Sequence, residues 1–204
     1  MSVQTFSKLL DTLNAAPTAG KPAIEQEILA AYQRRKAVLA LDMSGFTLAV
    51  RREGILAYLC QIRRMQQLTS PIVLAHQGQV VKNVADNLLA VFDDPAQAIE
   101  AALAMVRASQ SADTAVAADG VALTPIAFSI GVDFGDILLI DGVDCFGDAV
   151  NLAYKLGEDI ARPGEVLVTQ RLRDALGHGV QRQLKPVDFS VAGLEVLAYA
   201  VEAV

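Results

Sequence analysis

An α+β architecture, with helices packed on a mostly antiparallel sheet as an α/β sandwich, is the fold class that this sequence predicts. Three observations carry it. Short runs of strand-forming residues alternate with segments whose apolar residues recur at helical spacing. Two of those strand runs adjoin with no helix between them, which favours antiparallel pairing. At 204 residues and 53 % apolar content, the chain can bury one core of ordinary domain size.

The elements follow in order. Residues 5–13 and 22–35 read as helices separated by "NAAPTAGKP", whose prolines and glycine punctuate the chain. Residues 1–35 are therefore expected to be an N-terminal helical extension and residues 36–204 the main domain. "AVLALD", residues 37–42, reads as a strand. A helix is expected from about Thr47, with Ile55, Leu59, Ile62 and Met65 on one face and an interruption near Pro71. "GQVVKNVADNLLAVF" reads as two strands joined around Ala85 and Asp86. The next helix begins with Asp94 as N-cap and Pro95 in its first turn, and turns Ile99, Leu103 and Val106 inward. Residues 111–124 read as a loop. "TPIAFSIGVDFGDILLI" predicts a strand pair turning at Gly135, followed by a helix from about Asp148 to Ile160. A strand "GEVLVT", a short helix "QRLRDALG" and two closing strands complete the chain.

Composition removes several functions. A formal net charge of −6 argues against nucleic-acid binding, which needs a basic face to displace counterions from phosphates. The clusters Arg34-Arg35-Lys36 and Arg51-Arg52 are short enough to be solvated faces. No apolar window reaches the length of a membrane span, and the first residues lack the pattern of a secretory leader, so a cytoplasmic protein is expected. Cys60 and Cys145 lie far apart without ligand-spaced partners, and both are expected as reduced thiols.

The chemistry starts at "AVLALDMSGFT", where a buried strand empties into Asp42. A lone Asp in that position ordinarily caps a helix or accepts turn N–H groups. A second acid, Asp86, sits at the turn of the strand pair, and in a palm-like fold the two positions can be neighbours on one sheet edge. Two carboxylates there suit Mg²⁺, which takes one or two carboxylates and fills its shell with substrate phosphates. Ser44, Gly45, Phe46 and Thr47 open the following helix, so their N–H groups could receive phosphate oxygens.

The stretches "LDMSGFT", "VVKNVADNLLAVF" and "DCFGDAVNLAYKLGED" resemble, in this order and spacing, the catalytic domain of class III nucleotidyl cyclases, over roughly residues 36–202. The resemblance implies a ferredoxin-like or palm-type βααββαβ core and a homodimer with shared sites. It implies two Mg²⁺ or Mn²⁺ ions held by Asp42 and Asp86, with the Met43 carbonyl as an extra ligand. By the same resemblance Lys82 and Asp144 read the purine, Asn151 orients the ribose, and Lys155 stands where the family usually has a charge-stabilising arginine. The implied reaction is ATP to 3′,5′-cyclic AMP and pyrophosphate, in intracellular signalling.

Base chemistry supports ATP. Adenine offers an N1 acceptor and an N6 donor, which complement a lysine and an aspartate; guanine presents the reverse. Alone, Lys82 reads equally as an exposed strand lysine. Asn151 and Lys155 stand four apart and share a helix face, which alone would more often mean a solvated face. Departures from the family are Ala85 for a glycine, Lys155, which lacks the bidentate fork of arginine, Ala192 where relatives carry a lysine for the terminal phosphates, and a short hairpin between Gly135 and Asp144. A weak or inactive nucleotide-binding or dimerising relative is the alternative, as is a cyclase using GTP. A diguanylate cyclase or polymerase palm is disfavoured because no Gly-Gly-Asp/Glu-Glu-Phe hairpin is present.

Overall fold

The apolar run at residues 37–41 becomes the centre of the sheet. In a computed structural model, which describes residues 3–44, 54–112, 126–177, 184–187, 190–191, 194–195 and 197–202, none of these five residues is more than 1 % exposed. The run is continuous, not alternating, because both faces of the strand are covered. In chain order the elements are α1 (Val3–Ala15), a 3₁₀ turn (Thr18–Gly20), α2 (Lys21–Tyr32), β1 (Gln33–Ser44) and α3 (Ile55–Ala75). Then come β2 (Gln79–Val84), β3 (Asn87–Phe92), α4 (Pro95–Ala112), β4 (Ala127–Ile140) and β5 (Asp144–Phe146). Next are α5 (Asp148–Tyr154), a π-helical segment (Lys155–Ile160), β6 (Val166–Thr169) and α6 (Gln170–Ala175). β7 (Leu184–Val187), β8 (Ser190–Val191), β9 (Leu194–Glu195) and β10 (Ala198–Val201) follow.

The main sheet runs β2-β3-β1-β4-β6-β10-β7, with β5 also paired to β4, while β8 and β9 form their own two-stranded piece. Only the β4–β6 pair is parallel among the described pairings, so the sheet is mostly antiparallel as expected. One face packs Leu39, Leu41, Leu88 and Phe92 against Met65 of α3 and Met105 of α4. The other packs Val38, Ala40, Leu89 and Val91 against Ala149, Val150 and Ala153 of α5. The α1–α2 pair has its own cluster of Phe6, Ile28 and Tyr32, which closes on Ile140 at the end of β4.

Four expectations about the elements are corrected. Residues 126–140 hold no turn at Gly135: β4 is one strand of 14 residues, paired with β1 from Ala127 to Leu138, and Gly135 lies opposite Lys36. Gly135 lies beneath α5, where a Cβ would stand 3.4 Å from that of Ala149. Helix α3 continues through Pro71 instead of breaking, with Thr69 and Val73 fully buried on either side. Tertiary packing there outweighs the one hydrogen bond that proline removes. Helix α2 ends at Tyr32, and residues 33–36 already belong to β1, paired with Leu138 to Gly135. The loop expected over 111–124 is helical through Ala112; its remainder, like Ala192, lies outside the described residues. Asp94 caps α4 as expected, its Oδ1 accepting from Ala96 N–H at 2.9 Å. No helix among the described residues is long and apolar enough to cross a membrane.

A buried charge network fixes α5 and α6 to the sheet. Asp133 on β4 is fully buried and accepts hydrogen bonds from the Phe134 N–H at 2.7 Å, the Thr169 hydroxyl and the Arg171 guanidinium. Arg171 also reaches Asp148, the first residue of α5, at 2.8 Å.

Candidate active site

Asp42 stands near the C-terminal end of β1, opposite Asn87 of β3 and Ser129 of β4. Asp86 occupies the two-residue turn between β2 and β3, so the strand pairing brings both acids to the same sheet edge. The preceding turn residue, Ala85, has a φ of +50°, a left-handed conformation that glycine adopts with less strain. The fold thereby supplies the neighbourhood expected from sequence. Its electrostatic consequence is visible at Asp42, whose carboxyl is pushed up to about 6 by burial first, then by Asp86 and Glu158, against a lowering hydrogen bond from the Met43 backbone.

Glu158, a residue with no assigned role in the sequence reading, completes this group. It reaches the site because the helical stretch lies unusually close on the sheet. A Cβ on Gly131 of β4 would lie 2.1 Å from the Ala153 carbonyl oxygen, and one on Gly157 would lie 2.9 Å from the carbonyl oxygen of Ala40, two residues before Asp42. Only glycine permits that approach at both positions. Glu158 then accepts a hydrogen bond from Asn87 Nδ2 at 3.0 Å. Its carboxyl is raised by burial, then by Asp159 and Asp86, and lowered by the Asn87 bond and Lys155. The other end of the same amide, Asn87 Oδ1, is buried and without a hydrogen-bond partner.

That donor set fits a hard divalent cation. Two like charges close enough to raise a pKa, beside a buried oxygen with no donor, are what Mg²⁺ or Mn²⁺ would relieve. No three His, Cys, Asp or Glu side chains among the described residues converge on a single point. The set thus suits an ion that keeps part of its water shell, as Mg²⁺ commonly does. The Met43 side chain is buried in the core, leaving its backbone as the only part that faces such chemistry. Ser44 does not open a helix as expected: it is the last residue of β1, paired with Ala127, and its hydroxyl is engaged with Ser129 at 2.6 Å. Gly45, Phe46 and Thr47 lie outside the described residues.

The second constellation is Lys82 on β2 and Asp144 on β5. Lys82 Nζ lies 2.7 Å from Asp144 Oδ1, both side chains being about a third exposed or less. The other contact of Asp144 Oδ1, the Cys145 N–H at 2.8 Å, holds the carboxylate in place. Tyr154 of α5 stands between the two constellations: burial pushes its phenol up to about 12, with Glu158, Cys145 and Asp144 adding to the rise. Beneath them Cys145 is buried and its thiol pushed up to about 12, first by burial and then by Asp144. Both cysteines are free.

Asn151 and Lys155 are placed on the expected helical stretch, but its second half is π-helical. Asn151 is exposed and its side chain open to a ligand. Lys155 forms an ion pair with Asp159 one turn on. Local widening of a helix of this kind recurs at functional sites. Asn87 could have been noticed as the neighbour of Asp86 in a hairpin. Nothing in the sequence signals Glu158, whose position depends on the π-helical turn and on the close approach that Gly131 and Gly157 together allow.

No protein-family model matches the chain. It is 32 % identical over 145 residues to an adenylate cyclase of Streptomyces coelicolor, covering 70 % of this chain and 34 % of that protein. It is 28 % identical over 161 residues to an uncharacterized protein of Mycobacterium tuberculosis, covering 76 % and 39 %. The chain thus spans little more than a third of the curated relatives it matches. Among solved structures it resembles the adenylate/guanylate cyclase/hydrolase of Silicibacter pomeroyi, with a TM-score of 0.67, 29 % identity and coverage of 83 % of this chain and 96 % of that one. The catalytic core of a rhodopsin-guanylyl cyclase with converted specificity, in complex with ATPalphaS, matches with a TM-score of 0.71 at 20 % identity, over 84 % and 97 %. The adenylyl cyclase CyaB from P. aeruginosa matches at 0.66 and 22 %, over 84 % and 96 %.

Proposed function

The chain belongs to the class III nucleotidyl cyclase catalytic domains, and from that premise we propose that it converts ATP to 3′,5′-cyclic AMP and pyrophosphate as a homodimer. The observation that carries the choice of reaction is the meeting of Asp42 and Asp86 on one sheet edge, with the Asp42 carboxyl raised by burial and by its partner. Asp42 and Asp86 would hold the cations, which when bound acidify the ribose hydroxyl and neutralise charge on the leaving pyrophosphate. The 3′-oxygen gives its proton to solvent water and attacks the α-phosphorus, and the bond from that phosphorus to the bridging oxygen breaks, so that pyrophosphate leaves with the electron pair.

The remaining side chains bind and orient. Lys82 donates to adenine N1 and Asp144 accepts from N6, and their 2.7 Å pairing keeps donor and acceptor side by side for that edge. Asn151 holds the ribose, and Lys155 offers a cation to charge developing at the α-phosphate. One site would draw its acids from one subunit and its base-reading and ribose-holding residues from the other. Cytoplasmic signalling is the setting in which that product is useful.

The ion pair between Lys155 and Asp159 favours a second reading, a slow or inactive nucleotide-binding relative, because this lysine must leave a carboxylate to reach a phosphate. The deciding experiment supplies the purified chain with ATP or GTP and Mn²⁺ or Mg²⁺ and resolves the products by chromatography. Cyclic AMP that forms from ATP in preference to cyclic GMP from GTP, and ceases on chelation of the cation, supports the proposal. Nucleotide binding without any cyclic product supports the second reading.

A further inference from the structure

The residues beyond the expected cation ligands are Asn87 and Glu158, and the structure places them as a pair. Asn87 immediately follows Asp86 and lies opposite Asp42 in the strand register, so its backbone is held next to both acids. Its Nδ2 donates to Glu158 Oε1 at 3.0 Å, which fixes the amide's orientation, since the flipped amide would set oxygen against a carboxylate. Its Oδ1 is then left buried with no protein donor. A buried acceptor of this kind costs free energy unless something donates to it.

Resting on the cation reading above, we propose that Asn87 and Glu158 order the water shell of the ion held by Asp42 and Asp86. Asn87 Oδ1 and the free oxygen of Glu158 accept hydrogen bonds from cation-bound water. Both are positioning residues, acting on the ion through its water. Three features agree with that role. The side-chain carboxylates do not converge on one point among the described residues, which suits contact through water. Glu158 adds a negative charge to the site without occupying a ligand position. Its placement is costly to arrange, requiring glycine at both 131 and 157. Outer-shell partners of this type orient ligands and typically contribute 10–100-fold to metal affinity.

The test is a titration of the full chain with Mn²⁺ alone, followed by the electron paramagnetic resonance of the free ion, for the wild type and variants confirmed as folded by circular dichroism. Glu158→Gln keeps an acceptor for Asn87 while removing the charge and replacing the free oxygen by an NH₂ donor. It should weaken Mn²⁺ binding by about 10-fold or more, Asn87→Ala should weaken it comparably, and Glu158→Asp should recover part of the loss. Asp86→Asn serves as the control for the site itself. If Asp86→Asn abolishes binding while Glu158→Gln and Asn87→Ala bind within twofold of the wild type, the inference is overturned and the cation reading stands. If the wild type binds no Mn²⁺, or binds it equally with Asp86→Asn, both fall together.

Discussion

At the scale of single residues, the acid pair carries a cost that the protein alone does not offset. Burial, with Asp86 and Glu158 beside it, pushes the Asp42 carboxyl of the folded chain up to about 6, against 3.8 for an unperturbed aspartate. A raised folded pKa means that the folded chain binds the proton more tightly than the unfolded one, so stability is lost as pH rises from the lower value through the higher. Asp42→Asn, without metal, should therefore melt on the order of 2–4 °C above the wild type at pH 8, with the gap closing as pH falls towards 4. With saturating Mn²⁺ the order should reverse, because the ion stabilises only the chain that binds it. Calorimetry at several pH values with and without Mn²⁺ checks both signs. Ala85 carries a separate strain. Its φ of +50° predicts that Ala85→Gly leaves the hairpin intact and raises stability by up to about 1 kcal/mol, the relief of strain exceeding the entropy that glycine adds to the unfolded chain. A higher urea midpoint would show it.

Among the elements, the helical stretch from Asp148 to Ile160 has the tightest seat. The Cβ that Gly131→Ala would introduce falls 2.1 Å from the Ala153 carbonyl oxygen and 2.5 Å from the Gly157 nitrogen, both of them backbone atoms that cannot turn aside. The variant should lose about 3 kcal/mol or more, seen in chemical denaturation, and Mn²⁺ affinity should fall with it. This is also where sequence legibility stops. The strand ending in Asp42, the hairpin around Asp86 and the Asp94 cap were readable because their signals are local: an apolar run, a turn and a capping oxygen. The neighbourhood of Lys82 and Asp144 came from a pattern shared with a family, and the structure brings the two together. Gly135 read as a turn because an isolated glycine looks alike in a turn and under a packed helix. Pro71 read as a break because the burial of Thr69 and Val73 is not written in their own spacing. Glu158 was silent because its place is set by Gly131 and Gly157 together, a long-range agreement that no window of sequence displays.

For the molecule as a whole, the proposed shared site makes a test of assembly. Mixing an inactive Asp86→Ala chain with an inactive Asn151→Ala chain creates heterodimers in which one site carries both defects and the other carries neither. Cyclic AMP synthesis should reappear on subunit exchange, to about a quarter of the wild-type rate at equal mixing, since half the dimers are mixed and each has one sound site of two. Silence from heterodimers shown to exist would locate the whole site in one chain.

The pairing of β1 with β4 has a consequence for how the protein opens. Their ladder runs from Gln33 opposite Leu138 to Ser44 opposite Ala127 without a break, with the α1–α2 cluster closed on one end and the acids at the other. From Ala37 to Leu41 this ladder is buried on both faces and has no weak link at which to fray in part. Amide protons of Leu39, Leu41, Ile130 and Val132 should be the last in the chain to exchange with deuterium, and together, at a rate set by global unfolding. Loosening the helix pair, as by Phe6→Ala, should then quicken exchange at Leu41 beside the acids as much as at Ala37, some 12–14 Å along the strand. Mass spectrometry of exchanged peptides would read that shared protection directly.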